Sequence, residues 1–324
     1  MQRLRADADW MAAAIALSRR GRPASAPNPN VGCIFVKDGR VVGRGWTQAG
    51  GRPHAEAVAL AAAGDAARGA TAYVSLEPCA HASARGPACS DSLIAAGVAR
   101  VMIAAQDPDS RTDGRGIARL QDAGIEVVFN VMPAEARAAM APWWTRQAEG
   151  RPFVTLKLAT SLEGRIARAD GASRWITGAR ARAHGHLERA MHQAILVGRG
   201  TYEADSPTLD VRLPGLEDRR PRRLLLTHGA APAGWTAVAS PESVAGVDSL
   251  LVEGGAGAAS AFLTADRVDR LLLYRAPILI GAGKAALGDI GLADLADAHG
   301  RWRLADSRLL GSDRLDVYER VREG

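Results

Sequence analysis

The stretch PHAEAVALAAAGDAARGATAYVSLEPCAHASARGPAC, residues 53–89, decides how the first half of the chain is read. It opens with proline and His-Ala-Glu at the head of an alanine-rich helical pattern closed by Gly64, so His54 and Glu56 lie at a helix start. A short apolar strand, Thr71–Leu76, follows and runs into Pro78-Cys79; Cys89 stands before a second helix with polar starters, Ser90 to Gly97. A zinc ion that activates water for deamination needs three nitrogen or sulfur ligands, an open position and a nearby carboxylate that is not a ligand. His54, Cys79 and Cys89 supply the ligands and Glu56 the carboxylate. Nucleobase deaminases space their cysteines as C-x-x-C. Here nine residues separate them, which excludes both cysteines from one helical turn.

Composition sets the frame around this motif. A chain of 324 residues, 47% apolar and 23% charged, reads as a globular enzyme of two domains. No apolar run approaches the roughly 20 residues of a membrane-spanning helix, so no membrane partner is expected. Asp7 and Asp9 precede the first apolar stretch and Arg19-Arg20 follow it, a poor match to a secretory signal; a cytoplasmic location is expected. The net charge is +6, but the basic residues are spread out and nearly all arginine, so no nucleic-acid partner is expected. Three cysteines do not make a disulfide framework, and Cys33, inside the run Val31–Val36, reads as a buried small residue.

Around the motif, an amphipathic helix is expected over 9–20, then a Pro27-Asn28-Pro29-Asn30 loop. A hairpin of Val31–Val36 and Val41–Trp46 turns at Asp38-Gly39. A strand at Val101–Ala105, a helix at Gly116–Ala123, a strand at Ile125–Asn130 and one helix from Pro133 to Gln147 complete an α/β pattern, with a boundary near Gly150.

Residues 1–145 resemble the deaminase half of the bifunctional riboflavin-biosynthesis deaminase/reductase family. The resemblance is carried by PNPNVGC ending at Cys33, PHAEAVAL ending at Leu60, LEPCAH at 76–81, GPAC at 86–89 and Gln106-Asp107-Pro108 with Gly114-Arg115-Gly116. It implies a cytidine-deaminase-like α/β/α sandwich over 1–149. The implied substrate is a phosphorylated pyrimidine, a diaminopyrimidinone bearing a phosphoribosylamino group, that loses its ring 2-amino group by hydrolysis. Zinc would bring a water's pKa towards neutrality while Glu56 takes its proton and passes it to the leaving ammonia. Asn28 and His81 are candidate ring contacts, loop-stabilising hydrogen bonds being the competing role. The family's cysteine loop is usually one residue shorter and carries a Gly-Arg-Thr core that this sequence lacks.

The second half begins with a strand over Phe153–Ala159 and ends with two alternating segments, Arg301–Leu304 and Arg314–Val321, that read as a final strand pair. SRWIT at 173–177, RAMHQAILVG at 189–198, TYEADSPTLDVR at 201–212 and VEGGAG at 252–257 resemble the family's reductase half, implying a dihydrofolate-reductase-like α/β domain over 150–324. By that resemblance NADPH lies against Ala159, Trp175, Thr201 and Asp205, and against Gly255, Ala256, Gly257, Ala258, Ala259, Ser260 and Ala261. The substrate lies near Ser173, Arg189, Leu209, Arg212 and Glu253, and its ribosyl group is reduced to a ribityl chain. The glycine-rich strand-to-helix turn offers free N–H groups to a phosphate, and Arg189 and Arg212 are phosphate forks by chemistry. Lys157, one of three lysines, needs a partner in a buried strand, for which Asp205 or Glu163 is expected. Lys157 and Asp205 are the catalytic candidates, a supporting salt bridge being the alternative for Lys157. Thr227-His228 stands where the family has Asp-Ser, and Glu163 where it has aspartate. His184, His186, His192 and His299 are assigned to the surface. The resemblance further implies a homo-oligomer joined through the reductase half. The alternative reading is a base or tRNA deaminase with a non-reductase C-terminal binding domain.

Overall fold

The computed structural model describes residues 2–322 and divides into two compact units, one running to Gly150 and one starting at Arg151. In the first, α1 (Gln2–Ser18) starts well before the expected Asp9. Asp7 is buried, accepting hydrogen bonds from Tyr73 Oη at 2.6 Å and Arg100 at 3.0 Å. A charged residue inside the helix's packed face is what interrupted the apolar pattern. β1 (Gly32–Lys37) and β2 (Arg40–Trp46) form the expected hairpin, with Asp38 at φ 50° and Gly39 at φ 71° in its turn. Then come α2 (Ala55–Ala63), β3 (Thr71–Val74), α3 (Cys89–Ala96), β4 (Arg100–Ile103), α4 (Arg115–Asp122) and β5 (Glu126–Val128). The single helix expected over 133–147 is two, α5 (Pro133–Ala139) and α6 (Ala141–Glu149). Pro142 has no N–H to give and its ring would meet the preceding turn, so the chain breaks at Met140.

The strands line up as β2-β1-β3-β4-β5, with β1 antiparallel to β2 and β3, and β3, β4 and β5 parallel. Helices cover both faces around a core that includes Phe35, Leu76, Leu93, Met102 and Leu120. One close approach sets the position of α2. A Cβ at Gly43 would lie 2.4 Å from the Ala59 carbonyl oxygen, and one at Gly45 would lie 2.5 Å from that of Ala55. The helix therefore rests on bare β2 backbone, and its first turn is fixed beside the ends of β1 and β3.

The second unit contains β6 (Phe153–Thr160), β7 (Arg165–Ala167), α7 (Ala179–Ala190), β8 (Ala194–Gly198), α8 (Arg199–Asp205), β9 (Arg222–Leu226), β10 (Thr236–Val238), β11 (Ser249–Val252), α9 (Ala256–Thr264), β12 (Arg270–Arg275), β13 (Lys284–Ala285), β14 (Trp302–Leu310) and β15 (Asp313–Arg320). Its main sheet has the order β10-β9-β8-β11-β6-β12-β15-β14, parallel from β10 to β12 and antiparallel thereafter; β7 and β13 pair separately. The central strands are fully buried runs, as parallel strands covered on both faces require. The final hairpin is present, with a longer first strand than the expected 301–304 because β14 is an exposed edge that needs no apolar alternation.

Replacing Gly45 by alanine drives a methyl group into the Ala55 carbonyl and the Ala59 amide. The expected result is a loss of about 1–3 kcal/mol on urea denaturation; an unchanged midpoint would show that α2 is free to shift.

Candidate functional site

His54 is the N-cap of α2, in extended conformation, and Glu56 is the second residue of that helix with 3% of its surface exposed. Cys79 follows β3 in a loop, and Cys89 opens α3. The structure brings the three expected ligand residues together: His54 Nδ1 lies 3.3 Å from Cys89 Sγ and 3.6 Å from Cys79 Sγ, and all three ligand atoms fall within 4.8 Å of one another. A tetrahedral zinc with ordinary Zn–N and Zn–S bonds separates its nitrogen and sulfur ligands by about 3.5 Å, so the donor set fits the metal without rearrangement. The Cys79 thiol is pushed down to about 3, chiefly by the hydrogen bond from the Cys89 thiol and then by His54 and the Cys89 N–H. Burial pushes the Glu56 carboxyl above its ordinary range, the condition for a group that must pick up a proton near neutral pH.

The two expected ring contacts have protein partners. Asn28 Nδ2 donates to the Gly51 carbonyl at 3.1 Å and lies 3.3 Å from His54 Nε2, on the edge of the imidazole away from the cysteines. His81 Nδ1 lies 3.4 Å from Thr112 Oγ1.

A residue the motif reading passed over braces the metal loop. The buried Glu77 carboxylate accepts N–H bonds from Asp107 (3.3 Å), Gly114 (3.0 Å), Gly116 (2.9 Å) and Ile117 (3.2 Å), filling the vacant donors at the start of α4. A Cβ at Gly116 would lie 2.0 Å from the Pro78 carbonyl oxygen, so the helix start abuts the residue before Cys79. The signal was available: an acid just before Pro-Cys, and Gly-Arg-Gly at 114–116. Ser90 completes the brace, its Oγ donating to the Cys79 carbonyl at 3.1 Å.

The second unit holds a cleft of about 1200 Å³ at the carboxyl ends of its parallel strands. Lys157, Ala159, Ser173, Trp175, Arg189, Thr201, Asp205, Leu209, Arg212 and Glu253 all line it, as do Gly255, Ala256, Gly257 and Ala258. Ala259, Ser260 and Ala261 do not. Ala259 is packed in the core and Ser260 Oγ accepts the Gly288 N–H at 2.9 Å, because the helix has turned these positions away from its open end. Gly255 N–H donates to Thr201 Oγ1 at 2.9 Å, tying the glycine turn to α8.

The charges in this cleft pair differently from expectation. Lys157 lies 3.6 Å from Glu253, and Arg189 grips the same carboxylate through Nε at 2.7 Å and Nη2 at 2.9 Å. Glu163 accepts N–H bonds from Ile280 and Gly281, and Asp205 is exposed. β6 and β11 are neighbours in the sheet, which is why residues far apart in sequence meet. Burial alone would raise the Glu253 carboxyl, but Lys157 and Arg189 overcome it and hold it at about 2. Arg212 pairs with Asp210 at 3.0 Å. Of the histidines assigned to the surface, His192 is buried, bonded to Thr155 Oγ1 and the Glu188 carbonyl; His184 is half-buried against Tyr274 Oη; His186 lines the cleft; His299 is exposed.

A three-layer sandwich with a His-Cys-Cys metal group beside a buried glutamate, followed by an α/β unit with a glycine-turn cleft, is the architecture of a zinc deaminase joined to a nucleotide-dependent reductase. Residues 4–105 match the family model of the cytidine and deoxycytidylate deaminase zinc-binding region, and residues 152–236 and 243–315 match that of the RibD C-terminal domain. The riboflavin biosynthesis protein RibD of Escherichia coli is 39% identical over 95% of this chain and 97% of its own, and that of Aquifex aeolicus 33% identical over 90% and 92%. Among solved structures, Acinetobacter baumannii RibD superposes with TM-score 0.85 at 33% identity, covering 98% of this chain and all of that one. A Thermotoga maritima diaminohydroxyphosphoribosylaminopyrimidine deaminase/5-amino-6-(5-phosphoribosylamino)uracil reductase superposes with TM-score 0.88 at 30% identity and the same coverage. The chain belongs to the RibD family: it is a deaminase and reductase of riboflavin biosynthesis, with zinc serving the first activity and NADPH the second.

Glu77→Ala leaves three N–H groups of the α4 start and that of Asp107 without their acceptor and frees the metal loop. We expect a several-fold loss of zinc retention against a chelator, with Glu77→Gln intermediate because one amide oxygen remains; equal zinc retention in all three proteins would exclude the brace. Glu253→Gln removes a carboxylate whose folded pKa lies below its unfolded value, so the stabilisation it gives is present above about pH 4.5 and lost as pH falls towards 2. The variant should be less stable than the parent by on the order of 2–3 kcal/mol at pH 7 in denaturant titrations, with the gap closing in that acid window; a gap independent of pH would contradict the pairing.

Proposed function

We propose that residues 1–149 deaminate 2,5-diamino-6-(5-phosphoribosylamino)pyrimidin-4(3H)-one and that residues 150–324 reduce the deaminated product to 5-amino-6-(5-phosphoribitylamino)uracil. The observation that carries this is the meeting of His54, Cys79 and Cys89 beside buried Glu56, with no fourth protein ligand grouped with them among the described residues. When bound, zinc supplies Lewis acidity that makes a water nucleophilic near neutral pH, and NADPH supplies the reducing equivalents. The chain's own residues do the rest. His54, Cys79 and Cys89 hold the metal, the two helix starts favouring the anionic thiolates. Glu56, its pKa raised by burial, takes the proton of the attacking water and delivers it to the ring nitrogen or the departing ammonia as the C–N bond breaks. Asn28 lies against the Nε2 edge of the His54 ring and His81 borders the substrate opening.

In the second unit Ala159, Trp175, Thr201 and Asp205 would hold the dinucleotide together with the Gly255–Ala258 turn, where Gly255 N–H is taken by Thr201 and the N–H groups of Ala256, Gly257 and Ala258 are left for a phosphate. Ser173, Leu209 and Arg212 border the phosphorylated substrate, and Lys157 and Arg189 present a cationic pair around Glu253 at the reacting end. None of the three cysteines is in a disulfide, which suits a reducing, cytoplasmic setting. The exposed edge strand β14, with Leu304 and Leu309 turned to solvent, suits a homo-oligomer formed through this unit, and a monomer by sedimentation equilibrium would overturn that part.

The test is a coupled assay with the diaminopyrimidine phosphoribosyl compound and NADPH, following ammonia and NADP together. Glu56→Gln should lower ammonia release about 10²–10⁴-fold while NADPH oxidation on supplied deaminated intermediate persists. Asp205→Ala should reduce the second activity alone. Ammonia release intact in Glu56→Gln, or NADPH oxidation indifferent to the deaminated intermediate, would overturn the assignment.

A further inference from the structure

We propose that Arg199 selects NADPH over NADH by binding the phosphate carried on the adenosine ribose. The inference rests on the reading that the cleft of the second unit takes the dinucleotide.

The sheet fixes the direction in which that molecule runs. Strands β9, β8, β11 and β6 lie side by side and parallel, and ligands of such sheets sit outside the carboxyl ends. The reacting end is on the β6 side, where Lys157 and Arg189 meet Glu253. The glycine turn after β11 and the first N–H groups of α9 are the place for the pyrophosphate. A dinucleotide with its nicotinamide over β6 and its pyrophosphate on that turn carries its adenosine towards the ends of β8 and β9.

Arg199 is the cation waiting there. It directly follows β8, lines the cleft together with Leu226 at the end of β9, and has 42% of its side chain exposed. Its guanidinium is set in place by Nε donating to Thr227 Oγ1 at 2.9 Å and Nη2 donating to the Ala230 carbonyl at 2.9 Å. Nη1 has only a long contact, 3.5 Å, with Glu203, whose side chain is 62% exposed. Such an exposed pair is worth little, and a phosphate dianion displaces it readily. Thr227 also accepts the Gly229 N–H at 3.1 Å, so the loop beneath the guanidinium is itself ordered.

The residues after β9 agree with this choice. A nearby arginine accommodates a ribose phosphate, and an acid beside it would compete for that arginine. Here β9 is followed by Thr227-His228-Gly229-Ala230, with no acid, and Arg199 lies across them. Of the other cations lining the cleft, Lys157 and Arg189 are engaged by Glu253, Arg212 by Asp210, Arg182 by the Thr177 carbonyl and Arg174 by that of Asp205, while Lys284 sits on β13, which pairs with β7 and not with β8 or β9.

The experiment is calorimetric titration of the intact enzyme, its Arg199→Ala variant and its Arg199→Lys variant with NADP, NAD, 2′,5′-ADP and 5′-AMP, alongside the unfolding midpoint of each unliganded protein. Arg199→Ala should weaken NADP and 2′,5′-ADP by about ten- to a hundredfold and leave NAD and 5′-AMP within about twofold, with lysine restoring part of the difference. Equal losses for phosphorylated and unphosphorylated compounds would make Arg199 a brace for the 227–230 loop and overturn the inference. Unchanged NADP binding in Arg199→Ala would overturn it alone, leaving the cleft reading intact; failure of the unaltered enzyme to bind either dinucleotide would remove both.

Discussion

The first turn of an α-helix carries backbone N–H groups with no partner inside the helix, and both sites of this chain are built on that constraint. Those donors need an acceptor, and their dipoles favour negative charge. The N-terminus of α2 carries His54 and Glu56, that of α3 carries Cys89, that of α4 is closed by Glu77, and that of α9 opens into the cleft through Gly255. Three of these ends frame the His54-Cys79-Cys89 group and the fourth lines the cleft. The glycines of β2 make the arrangement possible, because α2 reaches its place only where the strand presents no side chain.

How far the sequence foretold this depended on whether a feature was local. The hairpin at Asp38-Gly39, the helix headed by His54 and Glu56 and the cysteine at the head of the next helix are each specified by a few adjacent residues, and each is found, the helices starting at Ala55 rather than Pro53 and at Cys89 itself. The start of α1 was misplaced because Asp7 is polar in sequence but buried in fact, its charge answered by Arg100 from β4. The partner of Lys157 was misassigned for a related reason: spacing along the chain does not reveal that β6 and β11 are neighbours, and it is that adjacency which sets Glu253 beside it. His192 looked like a surface residue until Thr155 of β6 appeared across from it. At Ala259–Ala261 the motif ran on past the helix's first turn, where the backbone donors are already spent within the helix.

The longer loop between Cys79 and Cys89 shows how a family pattern tolerates an insertion. Both ends are pinned, Cys79 by Ser90 and by the Glu77 brace just before it, Cys89 by its place in α3. Between them Ser83 and Gly86 exchange two backbone hydrogen bonds, and Arg85 reaches the Gly50 carbonyl at 3.0 Å. An extra residue in a surface loop of this length adds little closure entropy, so its effect is absorbed locally and the ligand atoms keep their spacing. Any consequence for substrate falls on the outer rim of the loop, where the family's Gly-Arg-Thr core is missing.

The cleft of the reductase unit meets the opposite electrostatic problem. A carboxylate there would repel a phosphorylated substrate and a phosphorylated cofactor alike, yet Glu253, its side chain 8% exposed, lines the cleft. Its two cations resolve this. Glu253 neutralises one of Lys157 and Arg189 and orients both, so the cluster keeps a cation in excess while its carboxylate remains fully hydrogen-bonded. The fork of Arg189 is directed at Glu253 through Nε and Nη2. Attraction for the anion survives as a field set by the group rather than as one bidentate contact, and it acts inside a partly desolvated cleft where salt screens it less than at the surface.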